Sequence, residues 1–239
     1  MIFRFANPLK FQKFTESLQP ISSSIALILL FLGLFFGFFK SPPDYLQGET
    51  VRIMYVHVPC AWFSLMIYSL IATCSVFALV FKHTLAYIIS RASAPIGACF
   101  TLATLFTGSI WGKPTWGTWW VWDARLTSEL ILFFIYIGLI IIHNSYDNKN
   151  KGDRYAAILA IIGIVNLPVI KWSVDWWNTL HQPASISKFS SPSIDSSMMV
   201  PLFIMTLSLF FFFISILLIR IRGEIFQRKI DVLRFNQIK

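Results

Sequence analysis

An all-α integral membrane protein with six transmembrane helices is what this 239-residue sequence predicts, and three observations predict it. Hydrophobic residues make up 56% of the chain and charged residues 13%, about half the charged share of an ordinary soluble domain. Six apolar runs are long enough to cross a hydrocarbon core of about 30 Å. The basic residues gather on one side of those runs, as they do in membrane proteins of fixed orientation.

The runs are residues 22–39, 61–81, 92–110, 126–142, 155–170 and 199–221, and 1–239 reads as a single polytopic membrane domain. The first follows Arg4, Lys10 and Lys13 in the manner of a secretory signal. It continues into FFKSPPDY with no small-x-small cleavage site, which predicts an uncleaved helix. The second, fourth and sixth runs are the most continuous. The fifth is short and carries Asn166 and Pro168, so its ends are the least defined.

Lys and Arg near span ends are retained on the cytoplasmic side. Fourteen of the 20 lie in the N-terminal segment, the connections after spans two and four, and the C-terminal end from Arg220. Only 5 of the 11 Asp and Glu accompany them, and the opposite side is neutral. Both termini are therefore expected in the cytoplasm or matrix, with segments 40–59, 111–125 and 171–198 outside. The formal charge of +9 reports this topology and contact with anionic lipid, and not nucleic-acid binding. The inner connections, such as HNSYDNKNKGDR over 143–154, read as solvated loops. With no internal repeat and no glycine-rich nucleotide loop, ATP hydrolysis is not expected of this chain. Cys60, Cys74 and Cys99 form neither CxxC nor CxxCH, which excludes thiol redox chemistry, a Cys zinc site and covalent c-type haem attachment here. Cys74 and Cys99 read as small core residues, while Cys60 lies near the outer face beside His57.

The densest chemistry is WGKPTWGTWWVWDARLT, residues 111–127, with five of the nine tryptophans and only Lys113, Asp123 and Arg125 as charges. Trp116, Trp119, Trp120, Asp123 and Thr127 fall at helical spacing, which predicts a short interfacial tryptophan-rich helix on the outer face running into span four. Trp111 stands at its approach. Trp122, Arg125 and Glu129 share its other side, so that Arg125 pairs with Glu129 or turns to a ligand. Interfacial tryptophans commonly form an aromatic belt at headgroup level. A one-sided face with a polar end suits instead a flat, π-rich ligand with an anionic edge.

Two of the four histidines, His83 and His143, lie at the inner ends of spans two and four, where solvated or helix-end roles are expected. His57 and His181 lie in the first and third outer segments. Pro59 favours a helix start, which puts His57 just above the mouth of span two. His181 follows a second aromatic cluster over 171–180, in which Trp172, Trp176 and Thr179 share helical spacing beside Asp175. Each of the two alone reads as an interfacial polar residue. Together, beside two tryptophan clusters, they are candidate axial ligands for haem iron, with indole faces for the porphyrin and Arg or Lys for its propionates. A hydrolytic pairing of Cys60 with His57 lacks any oxyanion-forming signature.

WGKPTWGTWWVWDARLTSELILFF resembles the tryptophan-rich WWD signature of haem-handling proteins, specifically that of the cytochrome c maturation protein C family. MYVHVPCAW over 54–62 and NTLHQPAS over 178–185 resemble the same family, and the likeness spans essentially the whole chain. It implies that haem b is held non-covalently, with His57 and His181 as axial ligands. Trp111, Trp116, Trp119, Trp120, Trp122, Asp123 and Arg125 would then form the binding surface. It further implies a binding and transfer subunit rather than an enzyme, in a bacterial inner membrane or, alternatively, a mitochondrial one. Haem would be presented at the outer face to a membrane-anchored periplasmic haem chaperone, to which it becomes covalently attached. The implied assembly is an ABC-type complex with a separate ATPase subunit, a second membrane subunit and a small membrane subunit. Cys60 departs from the family pattern, where a small residue such as alanine is expected.

A b-type electron-transfer protein would hold haem between histidines inside the spans, where this sequence has none. A small-solute permease would line its spans with polar groups, and Asn166 is the main deep candidate. The charge partition carries a direct test: reporters fused after Phe39, Ile110 and Ile170 should read outside, and those after Phe81, Ile142 and Ile221 inside. A cytoplasmic signal from a fusion after Ile110 would reverse the assignment of the tryptophan segment.

Overall fold

In hydrocarbon the backbone must satisfy its own hydrogen bonds, so apolar runs of this length fold as helices. The computed structural model describes residues 8–177, 179–181 and 194–237. Arg4 and the segment holding Gln182 and Pro183 lie outside the described residues. α1 covers Pro8–Phe35 and runs into a π-helical turn, Phe36–Lys40. A 3-10 turn, Glu49–Ile53, leads into α2, Met54–Phe81. There follow α3, Thr84–Trp116, α4, Ala124–Asn144, α5, Lys149–Gly163, α6, Asn166–Trp176, and α7, Ser196–Gln237. Six segments are long and apolar enough to span a membrane, and each contains one of the expected runs. The chain is an all-α integral membrane protein.

The fifth span is two helices rather than one. α5 ends at Gly163, and Asn166 opens α6, whose first turn accommodates Pro168 because proline's missing N–H is not needed there. The Asn166 side-chain amide donates to the Ser128 carbonyl at 2.9 Å. Its polarity is thereby spent on joining α6 to α4. α2 also begins earlier than expected, at Met54, which places Pro59 inside the helix and His57 in its first turn.

The connection between α2 and α3 is minimal. Lys82 turns left-handed (φ 52°) and His83 caps α3, its Nδ1 accepting from the Ala86 amide at 3.4 Å. His83 thus has the helix-end role expected of it. The core is built on Phe63, Ile67, Tyr68 and Ile71 of α2 with Leu132, Tyr136 and Leu139 of α4. Tyr136 donates to the Ser64 carbonyl at 2.7 Å and Tyr68 to the Ala160 carbonyl at 3.1 Å, so each buried hydroxyl is satisfied on a neighbouring helix. Tyr136 fits only because Gly97 of α3 has no side chain; a Cβ there would stand 2.1 Å from its ring. α1 pairs with α7, where Ser208 donates to the Ala26 carbonyl at 2.8 Å. Cys60 is buried, whereas Cys99 faces outward instead of joining the core.

The ends that the charge partition assigns to the inner side depart from the expectation of solvated loops. Asp153 is fully buried and is approached by Arg91 at 2.9 Å, by His143 Nδ1 at 2.9 Å and by Arg228. His143 is only 2% exposed. A lone carboxylate beneath four packed helices would be costly, and three cationic or donor groups from α3, α4 and α7 offset that cost. The dense charges over 149–154 suit a loop, but the segment opens α5 and Asp153 points inward.

Gly97→Ala should force Tyr136 from its seat and break its bond to Ser64. We expect a loss of about 1–3 kcal/mol, read as a lower thermal midpoint in detergent. An unchanged midpoint would show that α3 and α4 can separate freely here.

Candidate functional site

The outer ends of α2, α3 and α4 converge with the segment after α6. Gly117 ends α3 in the left-handed region (φ 78°), its amide donating to the Lys113 carbonyl at 3.1 Å. Asp123 then caps α4: its backbone is extended and its carboxylate accepts from the Leu126 amide at 2.7 Å. Residues 117–123 therefore form a non-helical strap. The interfacial helix expected from the spacing of Trp116, Trp119, Trp120, Asp123 and Thr127 is absent, because a left-handed glycine and an extended cap leave no room for it.

The strap still gathers the tryptophans. Trp111 and Trp116 ride on the last turns of α3, and Trp111 Nε1 donates to Gln47 Oε1 in the first outer segment at 2.8 Å. Trp120 meets Trp122 edge to face at 5.4 Å and carries a buried indole N–H without a partner among the described residues. Trp119 and Trp122 project outward, 56% and 75% exposed, and Lys113 Nζ lies 6.0 Å from the Trp119 ring. Trp172, Trp176 and Trp177 at the end of α6 are also exposed.

His57 and His181 stand at the two edges of this array. The His57 ring packs edge to face on Trp111 at 5.6 Å, and His181 on Trp116 at 4.7 Å. The charge of His181 is felt at His57, and Arg125 acts on both. His57 Nδ1 lies 3.0 Å from Thr107 Oγ1. His181 Nδ1 lies 3.5 Å from Asp123 Oδ2, too poorly aligned for a hydrogen bond. The hydroxyl of Thr179 also donates to Asp123 and receives the His181 amide at 3.1 Å. Thr179 thus lies beyond α6, off the helical spacing it shares with Trp172 and Trp176 in the sequence.

Burial pushes the Asp123 carboxyl up, but contacts from His181, Thr179 and the Leu126 amide outweigh it and bring the pKa down to about 2. At His181 burial acts first and lowers the pKa; Asp123 pulls it back up and the charge of Arg125 adds to the lowering. The imidazole is left below its ordinary 6.5 and neutral at pH 7. Arg125 has no carboxylate within 4 Å among the described residues, since Glu129 takes the Ser64 hydroxyl at 2.8 Å instead. Of the two fates open to Arg125, the internal pair is not formed. Among the described residues no three His, Cys, Asp or Glu side chains converge to hold a bare metal ion. The candidate donors are two imidazoles, a pair that would suit a metal already held in a macrocycle.

A family model described as Heme exporter protein C matches residues 1–236. The chain belongs to the Heme exporter protein C family. A Heme exporter protein C of Bradyrhizobium diazoefficiens is 44% identical over 232 residues, 97% of this chain and 88% of that protein. One from Haemophilus influenzae is 45% identical over 223 residues, 93% and 91% of the two chains. A cytochrome c biosynthesis ccmC-like mitochondrial protein of Marchantia polymorpha is 51% identical over 180 residues, 75% and 76%.

In this member of the Heme exporter protein C family, sequence reasoning missed Gln47, Thr107 and Gly108. Each acts only across a helix boundary, and no spacing within its own segment marks it. Asp123, by contrast, carried a readable signal as a residue of cap type before a long apolar run.

Acid should loosen this face in two stages. A group with a depressed folded-state pKa binds fewer protons folded than unfolded, so stability falls as pH drops. The His181 contribution is lost below pH 6.5, and that of Asp123 between 3.8 and about 2. Histidine NMR titration of the ligand-free protein should place the His181 midpoint below 6.5, and lower still in Asp123→Asn, which deletes the raising carboxylate. A parental midpoint above 6.5 would contradict the balance described.

Proposed function

We propose that this protein binds haem at the outer face of its membrane. It then delivers the haem to a membrane-anchored haem chaperone during cytochrome c maturation, as a membrane subunit of an ABC-type complex whose ATPase is a separate chain. One observation carries the reading. Two histidines far apart in sequence, His57 and His181, flank one tryptophan array, and each turns Nδ1 toward an acceptor in the protein. That leaves Nε2 of each as the metal-binding nitrogen. The names of the related proteins agree in chemistry.

The cargo is haem b, held without covalent bonds and ligated by His57 and His181. Trp111, Trp116, Trp119, Trp120 and Trp122 offer faces and edges to the porphyrin, and Arg125, free of a close carboxylate, serves a propionate. Asp123 acts through His181, which it orients. The exposed tryptophans on the strap leave the array open on one side, as a hand-off to a second protein requires. The outer face is the periplasmic one in a bacterial inner membrane, in keeping with the charge partition; the mitochondrial relative makes the inner membrane of that organelle the alternative.

His57→Ala and His181→Ala should each abolish the haem absorption band of the purified protein, while His83→Ala stays near parental. His143→Ala is not a neutral control, since it opens the Asp153 cluster. Moving two of the strap tryptophans to neighbouring positions keeps a membrane belt but destroys the array. Parental haem retention and transfer in that shuffled protein would reduce the tryptophans to anchors.

A further inference from the structure

Thr107 and Gly108 form a seat for His57 that belongs to none of the motifs above. His57 Nδ1 is 3.0 Å from Thr107 Oγ1, and the single hydrogen of that hydroxyl is already committed to the Ala103 carbonyl at 2.6 Å. The contact closes only if Nδ1 carries the proton and donates it, which leaves the lone pair on Nε2. Gly108 supplies the space. A Cβ there would stand 3.0 Å from Cε1 of the imidazole and 3.5 Å from Nδ1, enough to push the ring off its partner.

His181 is supported by different chemistry. Its Nδ1 faces Oδ2 of Asp123 at 3.5 Å without a closed hydrogen bond, so a carboxylate rather than a hydroxyl stands behind the ring. The partners of the two rings are therefore unequal. A carboxylate behind an imidazole raises its basicity as a metal ligand, and a neutral hydroxyl does so less.

Resting on the haem-ligation reading above, we infer that Thr107 is the positioning residue that presents Nε2 of His57. We further infer that His57, backed by a hydroxyl where His181 has a carboxylate, is the weaker axial ligand and the first to leave when haem is passed on. The step is a ligand exchange. The bond from His57 Nε2 to iron breaks with its electron pair returning to the nitrogen, and a neutral nitrogen or oxygen donor of the acceptor supplies the replacing pair. No electron or proton needs to move.

The test uses the full chain in lipid nanodiscs with nitrogen-15-labelled histidine. Without haem, His57 should show a protonated Nδ1 and a bare Nε2 in the parent and in Thr107→Ser, and should lose that bias in Thr107→Val. A bare Nδ1 in the parent would overturn the inference without any variant. With ferric haem bound, Thr107→Val should weaken binding by about 10-fold and Thr107→Ser should restore it. Cyanide added in equimolar amount to the haem-loaded parent should free His57; release of His181 would overturn the ranking of the two ligands. If His57→Ala leaves the haem spectrum unchanged, the ligation reading falls and this inference with it. If His57→Ala alters the spectrum while Thr107→Val binds as the parent does, only the role of Thr107 falls.

Discussion

How closely α2 and α4 can approach α3 governs the rest of this structure. Lipid offers no hydrophobic drive for helices to associate, so contact depends on small residues that let backbones and rings nest. α3 supplies them along its length: Ala94, Gly97, Ala98, Thr101 and Thr104 are buried, and Gly108 lies beyond them. Gly97 admits Tyr136 from α4 and Gly108 admits His57 from α2. The same closeness that builds the core therefore sets the position of a candidate ligand about three turns further along α3.

Each end of the bundle is organised by one carboxylate. At the inner end Asp153 draws together Arg91, His143 and Arg228, closing α3, α4, α5 and the extension of α7 into one unit. At the outer end Asp123 accepts from the Leu126 amide and the Thr179 hydroxyl and faces the His181 imidazole, joining the start of α4 to the segment after α6. The two hubs differ in access. Asp153 is sealed, as suits a structural tie, whereas Asp123 ends a strap whose Trp119 and Trp122 are exposed.

The outer face combines firm and loose parts in a way that fits temporary possession of a ligand. Trp111 is pinned by Gln47, and His57 is seated by Thr107 and Gly108. Among the described residues no hydrogen bond pins the side chains of Trp119 and Trp122, which project from the non-helical strap. A site that held every group firmly would bind its cargo well and release it poorly, since contacts common to the bound and departing states do not speed departure.

By itself the sequence determined the six spans, the basic side, and the residue types available at the outer face, because hydrophobic length and charge distribution are local properties that no folding partner alters. It also carried the family resemblance, through a tryptophan pattern that survives whatever conformation the backbone takes. Conformation was another matter. The spacing of Trp116, Trp119, Trp120 and Asp123 fits a helix, yet Gly117 and the capping geometry of Asp123 impose a strap. The charges over 149–154 suit a loop, yet Asp153 turns inward because Arg91, His143 and Arg228 are waiting for it. Thr107 lies within an apolar span, and nothing in its own segment marks it. Only packing decided that its hydroxyl meets His57, because a hydrogen bond between helices depends on the register of two segments, and register is set by the shapes of all the side chains between them.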